Sequence, residues 1–128
     1  MIDHLFVYGT LRHGCDNEFA RLLEAGGEYL GPARISGRLY GFDWHPGAVE
    51  PEGPEDIVRG DVFHLSRPDA ILARLDEYEG PEFERAGTVA RLDSGRSLEA
   101  WVYLYRGPKK GARILSGDWL ADRPPASS

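Results

Sequence analysis

At 128 residues, with 41% hydrophobic and 28% charged side chains, the chain has the size and composition of one ordinary globular domain, not of a disordered segment. Its formal net charge of −6 argues against a nucleic-acid partner and against anionic membrane surfaces, both of which ask for a basic face. The single cysteine, Cys15, excludes an internal disulfide, no Cys/His spacing suits zinc, the first residues lack a signal-peptide pattern and no apolar run approaches a membrane span, so a reducing, cytoplasmic setting is expected.

Sixteen glycines and nine prolines point to short strands and tight turns. Leu5-Phe6-Val7-Tyr8 is a continuous apolar run stopped by Gly9, which predicts a buried strand over residues 4–8. Phe19, Leu22 and Leu23 follow helical spacing, with Asp16 as the expected cap and Gly26 as the stop, so a helix is expected over about 17–25. Alternation over residues 29–44 predicts one or two strands broken at Ser36-Gly37, and the Pro-, Gly- and acid-rich residues 45–56 read as a loop. Alternation resumes over 57–65 as a strand. Ser66-Arg67-Pro68-Asp69 predicts a helix start with Ser66 as cap, and Ile71, Leu72, Leu75 and Tyr78 form the expected buried stripe of a helix over 67–78, stopped by Gly80-Pro81. Strands are expected over 87–93 and 98–105 as a hairpin around Ser94-Gly95-Arg96. No repeat or linker interrupts the chain. One domain over residues 1–122 with a frayed tail at 123–128 is the simplest account, of α+β or barrel-like class.

Four places offer chemistry. The turn Tyr8-Gly9-Thr10-Leu11 ends a strand at a glycine, and such a turn can present successive backbone N–H groups to a carboxylate or phosphate. On local pattern alone, an ordinary strand-to-loop turn is the simpler reading. Glu79 stands in Leu75-Asp76-Glu77-Tyr78-Glu79-Gly80, where acids crowd the C-terminal end of a helix. Crowding and the helix dipole both oppose ionisation there and predict a raised pKa, the condition for a proton acceptor near neutral pH. A solvated acidic helix end remains the plainer alternative. Trp101, Tyr103 and Tyr105 alternate in one strand and share a face that lines either a polar pocket or the core. Leu11-Arg12-His13-Gly14 contains the Arg-His-Gly of histidine phosphatases, with His13 as phosphoryl acceptor. That chemistry needs a second histidine late in the chain, and the other histidines are His4, His45 and His64.

Read in order, several segments resemble the γ-glutamylcyclotransferase-like superfamily, including its γ-glutamylamine cyclotransferase branch and short bacterial members. They are Leu5-Phe6-Val7-Tyr8-Gly9-Thr10-Leu11-Arg12, Pro46-Gly47-Ala48-Val49, Val58-Arg59-Gly60-Asp61-Val62-Phe63, Leu75-Asp76-Glu77-Tyr78-Glu79-Gly80, Phe83-Glu84-Arg85, Val102-Tyr103-Leu104-Tyr105 and Ser116-Gly117-Asp118-Trp119. The resemblance implies a small closed mixed β-barrel with flanking helices. It further implies a substrate loop at Tyr8, Gly9, Thr10 and Leu11, Tyr103 as a further substrate contact, and Glu79 as the catalytic general acid/base. The reaction implied is attack of a γ-glutamyl amide's own α-amine on its γ-carbonyl, releasing 5-oxoproline and an amine with no metal or organic cofactor. Phe83 departs from the family, where many members carry Tyr. Glutathione-like peptides, γ-glutamyl amino acids, γ-glutamyl-lysine and other amides all fit as substrate, and nothing in the sequence speaks to oligomeric state. A non-catalytic small-acid-binding protein on the same fold is the competing class.

Overall fold

The computed structural model describes residues 2–42, 45–108 and 111–122. In chain order the elements are β1 (His4–Val7), α1 (Glu18–Gly26), β2 (Gly27–Ser36), β3 (Arg38–Gly41), β4 (Pro46–Val49), β5 (Ile57–Leu65), α2 (Pro68–Glu79), β6 (Phe83–Leu92), β7 (Ser97–Tyr105), β8 (Ala112–Ile114) and α3 (Trp119–Asp122). The tail at 123–128 and Trp44 lie outside the described residues.

Hydrogen bonding runs from β1 to β5, β2, β6 and β7 and returns to β1 through a parallel Leu5–Trp101 pairing. Five strands therefore close a small mixed barrel, which leaves no free edge within the ring. β4, β3 and β8 extend the sheet from β7.

Strand alternation sorts the side chains into two cores. Phe6 and Tyr8 join Val58, Val62, Ala100 and Val102 inside the barrel. Leu5 and Val7 point the other way and join Leu23, Ile71, Leu72, Leu75 and Tyr103 beneath the helices. The period of two along β1 thus serves both layers at once, and it explains why the run reads as continuously apolar.

Several local expectations are corrected. Asn17, not Asp16, caps α1, its Oδ1 accepting from the N–H of Ala20 at 2.8 Å. Asp16 pairs with Arg21 instead. Helix α1 runs through Gly26, and Gly27 follows it directly into β2. Ser66 does not cap α2. Arg67 holds the cap position without a side-chain bond, while Pro68 opens the helix as expected. Tyr78 is exposed and does not complete the buried stripe; its ring stacks on Phe19 at 4.1 Å. Residues 46–49 form a strand where a loop was expected, because β3 and β7 supply backbone partners that composition cannot reveal. Strand β6 begins at Phe83, earlier than expected, and β8 and α3 had no counterpart in the sequence reading.

Candidate active site

Strand β1 delivers the turn at residues 8–11 to the open end of a pocket between the barrel and α2. Tyr8, Gly9, Thr10, Leu11, Glu79 and Tyr103 all line it, and it encloses about 370 Å³ of empty space, its open mouth included. The turn is held from behind. The N–H of Arg12 donates to the Gly9 carbonyl at 3.1 Å, and Asn17 Nδ2 donates to the Thr10 carbonyl at 2.6 Å. Among the described residues, the N–H groups of Gly9, Thr10 and Leu11 donate to no protein acceptor. Three N–H donors without an internal partner thus border the pocket, and successive unpaired amides in a turn are the kind of group that can take an anion. Gly9 is required by crowding: a Cβ there would stand 2.7 Å from Pro46 Cγ.

Glu79 is the last residue of α2. The helix stops there because Gly80 adopts a φ of 82° while its N–H still reaches the Asp76 carbonyl at 3.3 Å. Burial in the pocket pushes the Glu79 carboxyl up to about 7. The cause is desolvation, not the crowding of acids expected from sequence. Glu77 is exposed, and Asp76 is engaged by Arg85. No hydrogen bond or ion pair reaches the Glu79 carboxylate from the described residues, so neither of its oxygens is committed to the protein.

Tyr8 and Tyr103 frame this carboxyl. The Tyr8 hydroxyl donates to the Tyr103 carbonyl at 2.6 Å and accepts from the N–H of Ala48 at 3.1 Å. It braces β7 against β4, and burial raises its pKa far out of the physiological range. Tyr103 donates its hydroxyl to Asp76 Oδ1 at 2.6 Å. Of the three alternating aromatics on β7, only Tyr103 reaches the pocket. Trp101 Nε1 donates to the Ile2 carbonyl at 3.2 Å, and the Tyr105 hydroxyl lies between Glu82 and the Pro108 carbonyl.

The family described as γ-glutamyl cyclotransferase, AIG2-like, matches residues 5–121. The γ-glutamylcyclotransferase family protein YtfP of Escherichia coli K12 is 34% identical over 118 residues, covering 91% of this chain and 95% of that protein. The chain belongs to the γ-glutamyl cyclotransferase, AIG2-like family. A putative γ-glutamylcyclotransferase of Methanocaldococcus jannaschii, MJ1514, is 33% identical over 122 residues, covering 92% and 96% of the two chains. The crystal structure of the uncharacterized Pyrococcus horikoshii protein PH0828 superposes with a TM-score of 0.69 at 25% identity, covering 93% of this chain and 90% of that one. The protein is thus an enzyme of the γ-glutamylcyclotransferase type.

The cyclotransferase barrel also disposes of the phosphatase reading. His13 lies outside the pocket, stacked on Tyr29 at 3.9 Å with Nδ1 2.7 Å from Glu24, and no other histidine faces it. Sequence reasoning missed His45 and Pro46 as pocket residues, and both line it with Glu79. It also missed the anchor of the turn. Asp61 of β5, nearly buried, accepts from Arg12 Nε at 3.0 Å, the His13 N–H at 3.0 Å and the Tyr29 hydroxyl at 3.2 Å. Arg12 Nη1 continues to Asp118 at 3.1 Å. The available signal was an acid set between Gly60 and the apolar pair Val62-Phe63 in mid-strand, where a buried carboxylate demands partners.

Proposed function

We propose that this enzyme cyclises a γ-glutamyl amide to 5-oxoproline, with Glu79 as the proton carrier. The free N–H groups of Gly9, Thr10 and Leu11 hold the α-carboxylate or the developing oxyanion, and the rings of Tyr8 and Tyr103 wall the chain of the substrate. Glu79 takes a proton from the α-ammonium. The freed amine attacks the γ-carbonyl and a ring N–C bond forms; the amide C–N bond then breaks as that proton goes to the departing nitrogen, and the second proton lost by the ring nitrogen also passes through Glu79 to the amine, which leaves as an ammonium. No external nucleophile enters. Binding supplies orientation, and an intramolecular attack held in a near-attack conformer can lower the barrier by about 7–11 kcal/mol. The observation that carries the reading is a carboxyl raised to about 7, without a protein partner, in the same pocket as three unengaged amides.

The test is 5-oxoproline release across a panel of γ-glutamyl compounds. Glu79→Gln keeps size and shape but cannot accept the proton, and turnover is expected to fall by about 10²–10⁴-fold. Glu77→Gln, on the solvent side of the same helix, is the control. Full activity in Glu79→Gln would overturn the assignment, and release from no compound in the panel would overturn the reaction.

A further inference from the structure

The two halves of the site come from different elements: the turn at residues 8–11 follows β1, and Glu79 ends α2. Among the described residues, one hydrogen-bonding contact joins that turn to the helix. Thr10 Oγ1 and the Tyr78 hydroxyl stand 3.4 Å apart. Tyr78 directly precedes Glu79 in the chain. Its helical spacing continues the stripe of Ile71 and Leu75, yet the residue is 36% exposed. Core packing therefore does not account for an aromatic side chain at this position.

Tyr78 is held on two sides instead. Its ring stacks on Phe19 of α1, with centroids 4.1 Å apart and planes 27° from parallel. Its hydroxyl reaches Thr10. Two residues before Phe19, Asn17 Nδ2 donates to the Thr10 carbonyl at 2.6 Å. Thr10 is thus gripped at its carbonyl from the start of α1 and at its side chain from the end of α2, and Tyr78 leans on both partners. The Thr10 N–H is the group left over, and Thr10 and Glu79 line the same pocket. A separation of 3.4 Å is long for two hydroxyls. Contacts in catalytic sites are often long before substrate arrives and tighten in the complex.

We propose that Tyr78 is a positioning residue that fixes the separation between the turn amides and the Glu79 carboxyl. The inference rests on the cyclotransferase reading. A γ-glutamyl substrate carries its α-carboxylate and its α-ammonium on one carbon. Once the amides hold the carboxylate, the place of the nitrogen is set, and Glu79 must stand where that nitrogen falls. Phe19 and Thr10 are the two fixed points from which Tyr78 sets its neighbour in the chain. With the hydroxyl removed, the amides still bind the carboxylate, but the end of α2 is free to drift from them. The loss is then one of proton-transfer geometry and not of binding. Tyr78 does this without touching the substrate, through Thr10 on one side and Glu79 on the other.

The experiment measures kcat and KM separately for 5-oxoproline release from a compound of the γ-glutamyl panel that the parent turns over. Tyr78→Phe keeps the ring on Phe19 and removes the hydroxyl. Its kcat is expected to fall about tenfold, short of the ~10²-fold that a misplacement of about 1 Å can cost. KM should stay near the parent's. The acid limb near pH 7 should stay as well, because the pocket still buries Glu79. Thr10→Val removes the other hydroxyl of the pair. The double variant should turn over no more slowly than the slower single one, since both substitutions remove the same contact. An unchanged kcat in Tyr78→Phe, with or without a lower melting temperature, makes the tyrosine merely structural and overturns the proposal. A rise in KM alone, or costs that multiply in the double variant, overturn it too, and all of these leave the cyclotransferase reading intact. No 5-oxoproline from the parent with any compound of the panel removes both.

Discussion

Glu79 works against its own environment, and that has a measurable cost. Its carboxyl titrates at about 7 in the folded chain against an ordinary 4.5 because burial penalises the charged form. Between those values the native state binds more protons than the unfolded state, so this residue's contribution to stability falls as pH rises through the window. Below it there is no penalty; above it the penalty persists at on the order of 3 kcal/mol at most. Glu79→Gln is therefore expected to melt several degrees higher than the parent at pH 8 and to match it near pH 4. The same titration sets an acid limb near pH 7 in the parent's kcat/KM, since only the ionised carboxyl accepts a proton. Thermal melts and pH–rate profiles of the two proteins check both statements. A stability gap independent of pH would show that the carboxyl is not desolvated.

At the scale of elements, the site is a junction between a turn on the barrel and the last residue of a helix. The turn is aimed by Asp61, which ties Arg12, His13 and Tyr29 together, while Glu79 belongs to α2 and shares none of those bonds. Asp61→Asn should loosen the turn and raise KM by about tenfold, the worth of a hydrogen bond to a charged group, while the acid limb near pH 7 stays in place. A shifted limb would mean that Asp61 acts on Glu79 and not on the turn. The sequence was most legible where periodicity was strong: β1, β5, α2 and the β6–β7 hairpin all stand close to their expected places. It failed at residues 46–49, whose proline and glycine read as loop, because the partners that make them a strand are remote in sequence. It failed again at the caps, where Asp16 and Asn17 are both good acceptors and only the chain's path decides which one reaches the Ala20 N–H.

At the scale of the whole molecule, Asp56 joins the sheet extension to the rest of the chain. Its oxygens accept from Arg38 Nε at 2.7 Å, Arg113 Nη2 at 2.7 Å, and the N–H groups of Glu52 at 2.8 Å and Gly53 at 3.1 Å. The Arg38 bond, with the backbone donors, holds its carboxyl far below the ordinary 3.8 against the opposing effect of burial. A depressed pKa contributes stability that is present above the unfolded value and lost as pH falls towards the folded one. Asp56→Asn should lower the melting temperature at neutral pH, and the gap should narrow below about pH 4 as the unfolded parent takes up its proton. A gap that widens on acidification would contradict this. The order of motifs along the chain, by resemblance, carried the family and the closed barrel, while strand and helix periods and the glycine turns, local properties that survive in one dimension, placed most of the elements. What the sequence could not carry was burial and partnership. Whether Glu79 faces solvent or a pocket, and whether the amides of residues 9–11 are spent, depends on which remote segments close over them. Only the barrel's closure between β1 and β7, with α2 laid across it, decides that, since desolvation is a property of the surrounding volume and not of neighbours along the chain.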